Sequence, residues 1–138
     1  MNQEKSLKEK LMEKLTNYQK AIRRLKEALE RDESDELVLD GVIQRFEFTY
    51  ELSWKLLKAY LTYHGIAEVR SPREAFKEGF AAGVIDEGDL WIEMLDDRNV
   101  TSHTYNETEA KEIFNKIKHK YYTILNRLCE VVEGEMAK

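Results

Sequence analysis

Cysteine, proline and glycine are scarce in this chain: one, one and six among 138 residues. The lone thiol, Cys129, excludes an internal disulfide and a cysteine-built metal cluster. A single proline and few glycines leave few breaks for helices. No run approaches the roughly 20 apolar residues of a membrane helix. The opening MNQEKSLKEKL has no apolar signal core. Phosphate-loop glycines, the dinucleotide fingerprint and zinc-ligand spacings are also missing. Positive charge is in deficit, with 22 Lys and Arg against 27 Asp and Glu, a net −5. That argues against a broad nonspecific nucleic-acid face, but leaves room for a small local basic site. The expectation is a soluble, cytoplasmic protein with no metal and no cofactor.

What the chain has in quantity is charge and apolar side chains, 36% and 42%, the mixture of amphipathic helices. Leu11, Leu15, Tyr18, Ile22, Leu25 and Leu29 alternate spacings of four and three, which draws one stripe along a first helix. Ser34 or Asp35 caps a second helix running from about 36 to 63. Its stripe is Val38, Val42, Phe46, Thr49, Ser53, Leu56 and Tyr60, widened by Leu39, Ile43, Tyr50, Leu57 and Leu61. Gly65 stops it. SPREAF supplies Ser71 as cap, Pro72 for the first turn and Glu74 for a capping box. This third helix ends near Gly83. Asp86 is expected to cap a fourth, which carries Leu90, Trp91, Met94 and Leu95. Asn106 with Glu109 opens a fifth that bears Ile113, Phe114, Ile117, Tyr121, Ile124, Leu128 and Val131. The spacing predicts one all-α domain over 1–138, an antiparallel up-and-down bundle of four to five helices. Wide apolar faces on a small chain favour a dimer.

Between the fourth and fifth helices lies RNVTSHTYN, where Arg98, Asn99, Ser102, His103, Tyr105 and Asn106 carry polar side chains. Arg98 and His103 are five apart, about 140° around a continuous helix, so they converge only where the helix ends or across a seam between chains. A helix C-terminus favours a protonated imidazole. Arg with His suits phosphodiester chemistry. Metal-free RNA cleavage needs a base for the 2′-hydroxyl, an acid for the leaving oxygen and a cation for the phosphorane. One chain offers one histidine here, and a two-fold dimer would offer two. Residues of these types at a helix–helix turn also serve simply as caps and hydrogen-bond partners.

Other positions carry two readings each. Asp97 orients Arg98 or His103, or sits on a solvated face as Asp96 does. DEGD at 86–89 is too short for a calcium loop and reads as a helix start. Arg45 lines the groove of Arg98, or pairs with an acid across the bundle. Lys116, Lys118, His119 and Lys120 form a solvated face, or steer an RNA backbone. Trp54 and Trp91 read as core or interface anchors rather than base-stacking platforms. His64 reads as a helix-end histidine, and Cys129 as inert.

Arg98, four residues, His103, one residue and Tyr105 resemble the R-x4-H-x-Y signature of HEPN-domain proteins. RFEFTYELSWKLLKAYL, SPREAFKEGFAAGVI and WIEMLDDRNVTSHTYNETEA resemble the HepT-like toxins and, more closely, the nucleotidyltransferase substrate-binding subunits. The resemblance covers residues 15 to 128. It implies a HEPN-like bundle that forms a homodimer or higher oligomer, with a minimal nucleotidyltransferase as partner. In the toxin branch, Arg98 and His103 would be metal-independent RNase residues at the dimer seam. Tyr105 would be the hydroxyl that the partner adenylylates. In the substrate-binding branch, the same pocket would hold a nucleotide phosphate or present substrate to the partner. Asn99, Ser102, Asp97 and Arg45 are the supporting or nucleotide-binding positions under either. Such transferases use a Gly-Ser followed by Asp-x-Asp. Neither occurs here, so the chain is not the transferase subunit itself.

Overall fold

Apolar residues recurring every three to four positions need a partner surface, and helices in this chain find it in one another. The computed structural model describes residues 6–101 and 106–138. Its elements are α1 (Leu7–Leu29), α2 (Glu36–Tyr63), α3 (Pro72–Ala81), α4 (Gly88–Thr101), α5 (Glu107–Lys116), a π-helical turn (Ile117–Tyr121) and α6 (Tyr122–Met136). Among the described residues all regular structure is helical, as the pattern predicts.

The helix starts are made by short side chains that accept the unpaired N–H groups of the first turn. Asp35 accepts from Leu37 N–H at 2.9 Å, Ser71 from Glu74 N–H at 3.2 Å, and Asn106 from Glu109 N–H at 2.8 Å. Gly65 and Gly83 follow α2 and α3 at φ +66° and +75°, the left-handed region that ends helices. One expected cap is corrected. Asp86 sits two residues before α4, and its carboxylate accepts from Arg127 at 3.3 Å instead.

α1 and α2 pack antiparallel along most of their length. α4 runs back against α2, and the α5–α6 rod returns alongside it. Tyr18, fully buried on α1, donates to the Leu125 carbonyl at 2.8 Å. Phe46 on α2 stacks on Tyr121 with ring centroids 5.7 Å apart, and Phe76 on α3 lies 4.9 Å from Trp91 on α4. Buried Thr49 and Ser53 donate to carbonyls one turn back, at 2.7 Å and 2.6 Å, so the polar atoms on the apolar stripe of α2 are satisfied. No described helix is long and apolar enough to cross a membrane.

The fifth helix differs from expectation. Its middle widens, and Tyr122 N–H reaches the Ile117 carbonyl five residues back. Beyond it, Ile124 and Leu128 are in the core as expected. Leu125, Cys129 and Val132 line the core, whereas Val131 is 39% exposed.

Candidate functional site

Asp97 and Arg98 are consecutive in the last turns of α4, so their side chains leave the helix about 100° apart. That angle sends them to different neighbours. Asp97 faces the π turn, together with Glu93 four residues earlier. The Tyr121 hydroxyl donates to Asp97, with Glu93 Oε2 also 3.1 Å away. Lys116 Nζ lies 3.1 Å from Asp97 and 3.7 Å from Glu93, and Lys120 Nζ lies 3.8 Å from Glu93. Burial first, then these two carboxylates, push the Tyr121 hydroxyl well above its ordinary range, so it remains a donor. Burial alone would lower Lys116. Asp97 and Glu93 outweigh it and hold the ammonium above its ordinary value.

Arg98 faces α2. Its Nε lies 3.6 Å from Glu47 Oε2 and its Nη2 3.9 Å from Glu51 Oε1. Its guanidinium carbon is 6.0 Å from the Tyr50 ring centroid. Both carboxylates are in ion-pair range but beyond hydrogen-bond length. The Arg98 Nε is buried with no hydrogen-bond partner among the described residues. Burial raises the pKa of Glu47, against the opposing pull of Arg98. Burial, then Glu51, pushes the Tyr50 phenol up to about 12. The guanidinium is thus steadied by charge, while its buried Nε makes no hydrogen bond to any described residue.

The end of α4 and the start of α5 border a groove of about 170 Å³. Asp97, Val100, Thr101, Glu109, Glu112 and Lys116 line it. Thr101 donates to the Arg98 carbonyl at 2.9 Å and ties off the helix end. Asn99 is exposed on the same turn. Ser102, His103 and Tyr105, the remaining site residues expected from sequence, lie outside the described residues.

Arg45 is not brought to Arg98. Its Nη1 donates to the Arg24 carbonyl on α1 at 2.6 Å. Asp96 is exposed, 3.7 Å from Arg73. The basic run is occupied, because Lys118 lies 3.7 Å from Glu33 in addition to the Lys116 and Lys120 pairs. DEGD is a helix approach, with Asp86 and Glu87 both on Arg127. His64 ends α2 against the Tyr60 and Tyr63 rings. Burial pushes the Cys129 thiol up to about 12, away from reactivity.

Sequence reasoning overlooked the groups that hold both α4 residues: Glu47 and Glu51 for Arg98, and Glu93, Lys116 and Tyr121 for Asp97. A signal existed. Glu47 and Glu51, and likewise Glu93 and Asp97, are carboxylates four apart on one helix face, inside otherwise apolar segments.

Comparison with known proteins bears on this geometry. A family model described as nucleotidyltransferase substrate binding protein like matches residues 13–133. A probable ribonuclease HepT of Haemophilus influenzae is 36% identical over 84 residues, 58% of this chain and 58% of that protein. The chain therefore matches less than two thirds of that relative's length. A Thermus thermophilus protein of known structure is 35% identical, with TM-score 0.73, over 88% of this chain and 99% of that one. HI0074 of Haemophilus influenzae, with the fold of a substrate binding domain of a nucleotidyltransferase, is 25% identical. Its TM-score is 0.75, over 86% of this chain and 98% of that one.

Proposed function

Because this chain belongs to the nucleotidyltransferase substrate binding protein-like family, we propose that it is the HEPN-type subunit of a two-component minimal nucleotidyltransferase system of toxin–antitoxin kind. Its activity is metal-independent RNA cleavage by Arg98 and His103 at a homodimer seam. The partner nucleotidyltransferase controls it by modifying Tyr105. The observation that carries this reading is Arg98 itself: a guanidinium steadied at 3.6 Å and 3.9 Å by Glu47 and Glu51, with a buried Nε that no described residue accepts from.

The chemistry is transesterification followed by release. One histidine takes the proton of the 2′-hydroxyl as its oxygen bonds to phosphorus. The 5′-oxygen bond breaks, and the second protomer's histidine gives that oxygen a proton. The products are a 2′,3′-cyclic phosphate and a 5′-hydroxyl, and the arginines offset the extra negative charge of the phosphorane. A nucleotidyl group on Tyr105, two residues beyond His103, would bring a phosphate of its own to the same cations and block the substrate phosphate.

A second reading has an observation in its favour. Two carboxylates face one arginine, so the local field is less positive than a nuclease site needs. Under it the chain binds nucleotide or substrate for its partner and cleaves nothing. Expression without a partner separates the two. Wild type should arrest growth and degrade total RNA, and His103→Ala should do neither. Intact RNA and normal growth in both, with nucleotide binding lost in Arg98→Ala, would replace the first reading with the second.

A further inference from the structure

The local basic site that net charge leaves room for is found away from the motif. Lys10 and Lys14 on α1 and Lys55 and Lys58 on α2 surround Trp54 at an open pocket of about 530 Å³. Its one acidic lining residue is Glu13. The spacings are four on α1 and three on α2, which keeps each pair on one helix face. All four lysines are exposed, and among the described residues none forms an ion pair. Trp54 is half-buried, and its indole N–H donates to Glu51 Oε2 at 3.1 Å, which fixes the ring in the pocket. The other oxygen of that carboxylate is the one 3.9 Å from Arg98. Glu51 therefore joins the two neighbourhoods.

We propose that this pocket is a second subsite for single-stranded RNA, in which a base packs on Trp54 and the flanking phosphates rest on Lys10, Lys14, Lys55 and Lys58, leading the strand toward Arg98. The pocket volume lies within the roughly 300–1,000 Å³ of ligand sites, enough for one base with its sugar. An aromatic face set among cations is what sequence-tolerant single-strand binding uses: the ring meets any base, and the ammonium groups track the backbone. An acidic protein surface would use the lysines but has no need of a fixed indole between them. The direction of the strand rests on the nuclease reading of Arg98 and His103. The subsite itself does not.

The test uses the full-length chain carrying His103→Ala, so that RNA stays intact, with a labelled single-stranded oligonucleotide of about 12 nucleotides. Affinity is followed by anisotropy across a salt series, alongside tryptophan emission. Trp91, 1% exposed in the core, supplies a constant background. Lys55→Gln with Lys58→Gln should weaken binding about tenfold and lower the log–log salt slope by roughly 0.7 per lysine. Trp54→Phe keeps a stacking face, so it should retain most affinity while removing the emission change. Equal affinity in the double variant and its parent would overturn the subsite and leave the nuclease reading standing. Absence of RNA binding, with the purified nucleotidyltransferase captured by the parent and not by the double variant, would also overturn it and make the patch a protein-docking face. RNA bound through the patch but never cleaved by wild type would retain the subsite and remove the nuclease reading.

Discussion

Two groups of lysines sit on this molecule and behave as opposites. Lys116, Lys118 and Lys120 are adjacent in sequence and look like a basic run, yet each lies within 3.8 Å of a carboxylate. Lys10, Lys14, Lys55 and Lys58 are scattered over two helices, and none is paired among the described residues. Proximity in sequence made the first group conspicuous, and folding neutralised it. Proximity in space makes the second. A patch of charge is defined by what remains unpaired after packing, not by how many cations a window contains.

The contrast can be broken by removing partners one at a time. The largest effect is expected from Asp97→Ala, which removes the nearer of the two carboxylates that hold Lys116 and the Tyr121 hydroxyl and leaves Glu93 alone. The loss should be about 2 kcal/mol in urea unfolding. Tyr121→Phe keeps the ring on Phe46 and deletes only the donor, so about 1 kcal/mol is expected from the same measurement. A result near zero for both would mean that the π-turn cluster is no anchor for the end of α4. Lys116→Met should cost less, up to about 1 kcal/mol, because the pair is partly solvated. It also carries a pH signature. Lys116 is held above its ordinary 10.5, so its contribution is complete below that pH and is lost as pH rises through the folded value. The variant should therefore show a shallower alkaline fall in Tm than wild type. Smallest of all, Lys55→Gln or Lys58→Gln should leave Tm and urea midpoints within about 0.5 kcal/mol of wild type. A larger loss there would erase the distinction between paired and unpaired lysines.

The helices were legible because each is an amphipathic repeat with a polar cap, and caps are local chemistry. Ser71, Asn106, Gly65 and Gly83 all act where the pattern predicts. Asp86 failed as a cap because α4 opens on the Glu87 carbonyl, one residue later, and the Asp86 carboxylate accepts from Arg127, 41 residues away. Val131 falls outside the core because the stripe steps four residues from Leu128, to Val132, where the pattern equally allowed three. The site shows the same division. Arg98 was identifiable from its own motif. Its fixing by Glu47 and Glu51, and that of Asp97 by Tyr121, depend on contacts across 24 to 51 residues of chain that no short pattern encodes. Tyr121 is the clearest case: its ring reads as an ordinary stripe residue, and only the hydroxyl at its tip belongs to the cluster.

The π turn at Ile117–Tyr121 has a consequence for how the chain tolerates changes in length. Such a turn is geometrically an α-helix with one residue too many, so the surplus is absorbed within five positions. Deleting one residue there, His119 for instance, would let the rod close into an ordinary α-helix without rotating α6 off the core. Deleting one residue in the regular part of α6 would swing everything beyond it by about 100° and expose Val132 in place of Val131. Shortening is therefore predicted to be mild at one point along the rod and severe a single turn later. The mild point is also where the lysines and Tyr121 reach across to α4. Their alignment with Asp97, and not the bundle, is what a shortened relative would lose.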